Sequence, residues 1–297
     1  MAVFISGLVA ALSGCPLSPL ATRTAAFSTA ATATIAQTNN AYQLVNQTFF
    51  DEQMAVLVAN YDKTGFDPAS FQPFIHPDDL AVRTKVLNGI EQYATLLAEV
   101  SGNQPITDLE TQATAAGQAL TKLQQSDFKG FKIDSSDQNL AVTAVVAIGA
   151  VLINHERNRA LPGILDKMNQ PIQDICKVLE DDIGTDASPG LADALHRAYS
   201  REIQAEVDFI KANAGSMDAD QRRTEIETLP KLVQAQQQAD QALAATVKSL
   251  KALAAAHAAL TTTKAQKNAP AFRLELTQLV QDAQSINGFY TSLSSTK

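Results

Sequence analysis

Tryptophan is absent from this 297-residue chain, cysteine occurs twice, glycine only 13 times, and aromatic residues make up just 6%. The two cysteines, Cys15 and Cys176, are far apart and lie in unlike surroundings, which excludes a disulfide framework. The 45% hydrophobic content is carried by Ala, Leu and Val rather than by aromatics, a mixture that favours helix over strand. Basic residues are in the minority: 23 Lys and Arg against 31 Asp and Glu leave a formal charge of −8. They are scattered, so no electrostatic footprint for a phosphate backbone exists, and nucleic acid is excluded as a partner.

Signatures of catalysis are missing as well. There is no HExxH, CxxC or GxSxG, and no glycine-rich phosphate loop. The four histidines, His76, His155, His196 and His257, fall one to a segment. The nearest approach to a carboxylate-bridged metal motif is a lone Asp193-x-x-His196, where di-iron bundles use two Glu-x-x-His pairs. Asp134, Ser135, Ser136 and Asp137 do not match a calcium loop. Glu180, Asp181, Asp182 and Asp186 read as a solvated acidic patch at a helix end, and Cys176 as a small buried hydrophobe. No metal, no cofactor and no catalytic residue is expected.

What the chain does contain is helical periodicity. Ala31, Ile35, Thr38, Tyr42, Val45 and Phe49 recur at alternating spacings of 4 and 3, one stripe of a helix. A turn-rich loop, Tyr61 to Pro77, follows, and its Phe66, Phe71 and Phe74 are expected to plug the bundle end. Pro77 with Asp78 and Asp79 opens the next helix. Further helices are expected over Pro105 to Gln125, Gln138 to Arg159, Leu161 to Ile183 with a kink or break at Pro171, Ser188 to Gly215, Asp218 to Thr262 with a bend at Pro230, and Pro270 to Leu293. Leu140 to Ile153 is uncharged throughout, which predicts a helix central to the core. At about 21 Å this run is shorter than the roughly 30 Å of a bilayer's hydrocarbon. The fold class expected is all-α: an elongated antiparallel bundle of seven to nine helices, several of them long.

The N-terminus has another character. Ala2 to Leu12 is an apolar run, followed by Ser13, Gly14, Cys15 and then Pro16; the first basic residue is Arg23. Leu12-Ser13-Gly14-Cys15 resembles the lipobox of bacterial lipoprotein precursors. That resemblance covers about fifteen residues and implies cleavage between Gly14 and Cys15, a diacylglyceryl group on the Cys15 thiol and an acyl chain on its amino group. Because Pro16 rather than Asp follows the cysteine, it also implies a place in the bacterial envelope at the outer membrane, facing the periplasm or the exterior. The organisation expected is a signal peptide over 1–14, a lipidated tether over 15–21, and one helical-bundle domain over 22–297.

These observations lead to a non-enzymatic, membrane-anchored lipoprotein, a binding, scaffold or envelope-assembly component that meets the membrane through its lipid and an envelope protein as partner. An alternative is a helical membrane-active protein, similar to α-helical pore-forming toxins, that uses residues 140–153. An enzyme with a site between helices ranks third.

Overall fold

Prolines and glycines punctuate long runs of good helix formers, and the computed structural model accordingly consists of helices. It describes residues 19–67, 69, 71–102, 109–123, 125–154, 161–185, 188–261 and 269–295. Among them are eight α-helices and no strand: α1 (Pro19–Thr64), α2 (Pro77–Gly102), α3 (Leu109–Thr121), α4 (Ser135–Ile153), α5 (Leu161–Ile183), α6 (Gly190–Asn213), α7 (Ala219–Thr261) and α8 (Ala269–Ser295). A 3-10 turn, Gln125–Phe128, lies between α3 and α4.

α1 begins at Pro19, slightly earlier than the tether expected over 15–21 would allow. Proline suits a first helical turn, where its missing N–H has no acceptor to lose. With 46 residues α1 is about 69 Å long, and α7, with 43, is about 65 Å. Side-chain pairs fix the directions. Thr24 bonds to Ser101, and Asn46 brackets the backbone of Ile75 through both ends of its amide (2.7 and 3.2 Å), so α1 and α2 are antiparallel. The Gln37 amide donates to the Thr246 hydroxyl at 3.0 Å, Thr246 pairs with the Tyr290 hydroxyl at 2.8 Å, and Asn40 donates to Asn287 at 3.0 Å. These bonds tie α1, α7 and α8 together, pairing the Gln37 amide nitrogen and the Thr246 and Tyr290 hydroxyls inside the bundle.

The predicted α1 stripe is in place: Ala31, Ile35, Thr38, Tyr42 and Val45 are buried. Ala30, Thr34, Gln37, Ala41 and Leu44 are buried as well, because α2, α6, α7 and α8 all pack on α1 and leave it little free face. Both helices with internal prolines run unbroken through Pro171 and Pro230.

Two expectations about α4 need correction. First, α4 starts at Ser135, capped by Asp134, whose carboxylate accepts from the Ser136 and Asp137 amides at 2.8 and 2.9 Å; those bonds, with that to the Ser136 hydroxyl foremost, hold its pKa below the ordinary value. The helix is therefore 19 residues, long and apolar enough by length and composition to cross a membrane. Second, α4 is not central: α2, α3 and α5 cover one side, and only 39% of its most apolar stretch is buried. It crosses α3 closely at two glycines, since a Cβ on Gly117 would lie 2.7 Å from the Gly149 oxygen and one on Gly149 would lie 2.8 Å from the Gly117 oxygen.

The phenylalanines of the loop after α1 divide. Phe74 stacks on Phe49 (4.2 Å between ring centres) and plugs the bundle as expected. Phe66 stays 58% exposed and only touches Phe71, which in turn meets the exposed Phe50.

Candidate functional site

The residue assigned a chemical role from sequence, Cys15, and the cleavage point at Gly14 and Cys15, lie outside the described residues, as does His155. The described residues begin with α1 at Pro19, which Pro16 to Ser18 separate from Cys15 in the sequence.

Inside the body, a buried ion pair among the described residues comes from two residues that the sequence did not mark as a pair. Arg83 lies on the apolar face of α2, in register with Val86, Leu87 and Ile90, and Asp182 on that of α5, beside Leu179 and Ile183. Both are fully buried. The guanidinium donates to Asp182 through Nε (2.9 Å) and Nη2 (2.7 Å), and Asp182 accepts the Lys132 amide at 2.7 Å. The remaining Arg83 donors go to the carbonyls of Gly130 (2.8 Å) and Asp79 (3.2 Å), while Phe131 lies 4.1 Å beneath its plane. Tyr42 of α1 closes the cluster. Its burial, reinforced by the negative charge of Asp182, pushes the phenol pKa well above the ordinary value.

The corner that delivers Asp182 is built on glycine. Gly190 has φ +51, and a Cβ there would lie 2.6 Å from the Asp182 carbonyl oxygen and 2.7 Å from the Gly184 nitrogen, so α5 and α6 meet at a distance only glycine permits. Ser188, the helix start expected from sequence, lies outside α6 and does not cap it. Ser188 turns back to donate to the Asp181 carbonyl (3.2 Å), and Pro189 occupies the cap position. The acidic run is thus not one solvated patch: Asp181 bonds exposed Lys177, Asp182 is the buried ion, and Glu180 is 9% exposed, its pKa pushed up to about 7 chiefly by burial against the opposing pull of Lys251.

His257 of α7 is the second buried polar centre. Nε2 and the Tyr93 hydroxyl are 2.8 Å apart, Phe27 meets the ring edge-on, and burial lowers the imidazole pKa to about 4, so it is neutral under ordinary conditions. Its relative exposure is 0%. This joins α1, α2 and α7, a packing role rather than a reactive one.

Asp193 and His196 do not converge: Asp193 bonds Arg197, while His196 Nδ1 meets Asp240 at 2.8 Å. No group of three or more His, Cys, Asp or Glu side chains able to hold a metal occurs among the described residues. Cys176 is fully buried, and burial, then the Glu180 charge, raise its thiol pKa, which keeps it inert.

Two surfaces remain. An open cleft of about 580 Å³ runs between α7 and α8, floored by Ala245, Ala252, Leu279 and Ile286 and edged by Lys248, Glu275 and Asp282. The far end of α1 exposes Phe50, Met54, Val58 and Tyr61, spaced 4, 4 and 3 along one face, with Phe66 beside them. No family model, no curated protein and no solved structure matches this chain.

Proposed function

We propose that the protein is a non-enzymatic lipoprotein of the bacterial envelope, held on the outer membrane through Cys15 and serving as a scaffold or assembly component for an envelope protein partner. The single observation that carries this reading is the start of α1 at Pro19, with three residues between it and Cys15, so a lipid on that cysteine would act close to a 46-residue helix. Two or more acyl chains hold a protein on a membrane where one does so only marginally. The same helix ends in the exposed face of Phe50, Met54, Val58 and Tyr61, about 47 to 63 Å along from Pro19, where a partner with a matching apolar surface is met.

Mass measurement of the membrane-fraction protein is expected to show cleavage before Cys15 and added acyl mass, with Cys15→Ser releasing the chain into the aqueous phase of a detergent partition. An unmodified chain that retains Met1 would overturn the reading. The pore-forming alternative draws on α4, and dye release from liposomes tests it: leakage induced by protein beginning at Pro16 favours it, and intact vesicles remove it.

A further inference from the structure

Most helices of this protein turn charged residues outward: Arg197, Arg201 and Asp208 on α6, and Lys248 on α7. α4 does not. From Gln138 to Ile153 it carries no charged side chain, and its two faces are apolar in different settings. Ala141, Ala144, Val145, Ile148, Gly149 and Leu152 are buried in the body. On the opposite side Leu140, Thr143, Val146, Ala150 and Ile153 form an exposed stripe about 20 Å long. A soluble surface helix presents polar residues there; an uncharged one fits the interface of a bilayer, with apolar residues at the acyl boundary. Exposed Lys122 and Lys129, in the connection that leads into α4, suit the headgroup level, where their stems lie along apolar surface and their ammonium groups stay hydrated.

Position points to the same occupant. α2 returns to the start of α1 at Ser101, α3 passes Gly89 of α2 on its way out, and α4 runs back along α3 through the Gly117 and Gly149 contact. The stripe therefore flanks the tether-side half of α1 and runs alongside it. We propose that the bilayer anchoring Cys15 also receives the outward stripe of α4, so that the body lies on its flank with α1 along the membrane surface. The proposal rests on the anchored reading, and it holds α4 at the interface, since crossing the bilayer would strip its six buried residues from the core.

Because the chain has no tryptophan, single-tryptophan variants report one place each. Val146→Trp probes the stripe, and Val233→Trp on α7 is a matched control, the two valines being 39% and 40% exposed. The acylated proteins are reconstituted in phosphatidylcholine and phosphatidylglycerol vesicles whose acyl chains carry bromine near the headgroup or near the chain end. The residue introduced at 146 is expected to be quenched several-fold more than that at 233, most strongly by the shallow bromine, and to be protected from aqueous iodide. Equal iodide quenching at both positions in protein that floats with the vesicles overturns the proposal, as does strongest quenching by the deep bromine, which marks a crossing helix. Ala150→Trp repeats the test should the first variant lose its helical circular dichroism. A chain without acyl mass refutes the anchor alone; mixed with the same vesicles, it still decides α4, through flotation with quenching at 146 or the lack of both.

Discussion

Residues 21–49 of α1 and residues 53–64 follow the same helical period, yet they live in different surroundings. The first stretch is wrapped by α2, α6, α7 and α8 and buries residues on several faces; the second meets α6, with α7 completing a three-helix arm, and none of its described residues is buried. The same holds on α6 beyond Ala205 and on α7 before Ala239. Polar groups follow the division. In the body the Arg83 and Asp182 pair is dry on both sides, whereas where the arm begins Arg201 reaches the buried Glu52 at 2.8 Å with its own side chain 48% exposed. A second layer of helices decides whether a charge is a keystone or a surface contact.

The largest expected effect breaks the body at that keystone. Asp182→Ala leaves a buried guanidinium unpaired and is expected to lower unfolding free energy by about 3–5 kcal/mol in denaturant titration, whereas Arg201→Ala, where the arm begins, removes at most about 1 kcal/mol. Replacing both partners, Arg83→Met with Asp182→Leu, is expected to restore most of the loss, because the desolvation of both ions disappears with them.

Acid sharpens the contrast next. His257 has a folded pKa near 4 against an ordinary 6.5, so the unfolded chain takes up the proton first. Its contribution is present above the ordinary value and is lost as pH falls from there toward 4, by up to about 3 kcal/mol. A His257→Gln variant followed by denaturation across that range is expected to show a flatter acid limb.

Smaller again is the seam under α4. Gly149→Ala sets a methyl against the Gly117 carbonyl and is expected to lower stability by about 1–3 kcal/mol, read as a shift in denaturation midpoint. An unchanged midpoint would show that α3 and α4 separate freely.

The smallest effect belongs to the arm. Glu206 has its pKa raised to about 7 by burial, by a hydrogen bond and charge from Glu225, and by the charge of Glu202. A raised carboxyl favours the folded state below its ordinary pKa and loses that benefit as pH rises through 7. Glu206→Gln is thus expected to be slightly more stable than the parent at about pH 8, with the gap closing by about pH 5. Hydrogen exchange confined to α6 and α7 is the measurement that resolves it, because partial exposure screens the effect.

Much of the fold was legible in the chain. The bounds of α5 agree to the residue, and Ala31, Ile35, Thr38, Tyr42 and Val45 on α1 are buried where periodicity put them. Periodicity says which side of a helix is apolar, not how many neighbours it has. Leu229, Leu232 and Val233 therefore read like Leu243 and Leu250, although only the latter two are buried. For the same reason the uncharged run of α4 suggested a core helix. Arg83 and Asp182 each stood in register on an apolar face, a visible anomaly, but nothing local to either names a partner 99 positions away.

By itself the sequence determined an all-helical chain, because Ala- and Leu-rich runs between prolines and glycines satisfy their backbone hydrogen bonds locally. The tertiary structure decided which apolar faces are covered, which carboxylates are ions in the core, and that α4 faces outward. Those properties depend on contacts between residues far apart in the chain, and burial is set by the number of helices that surround a position.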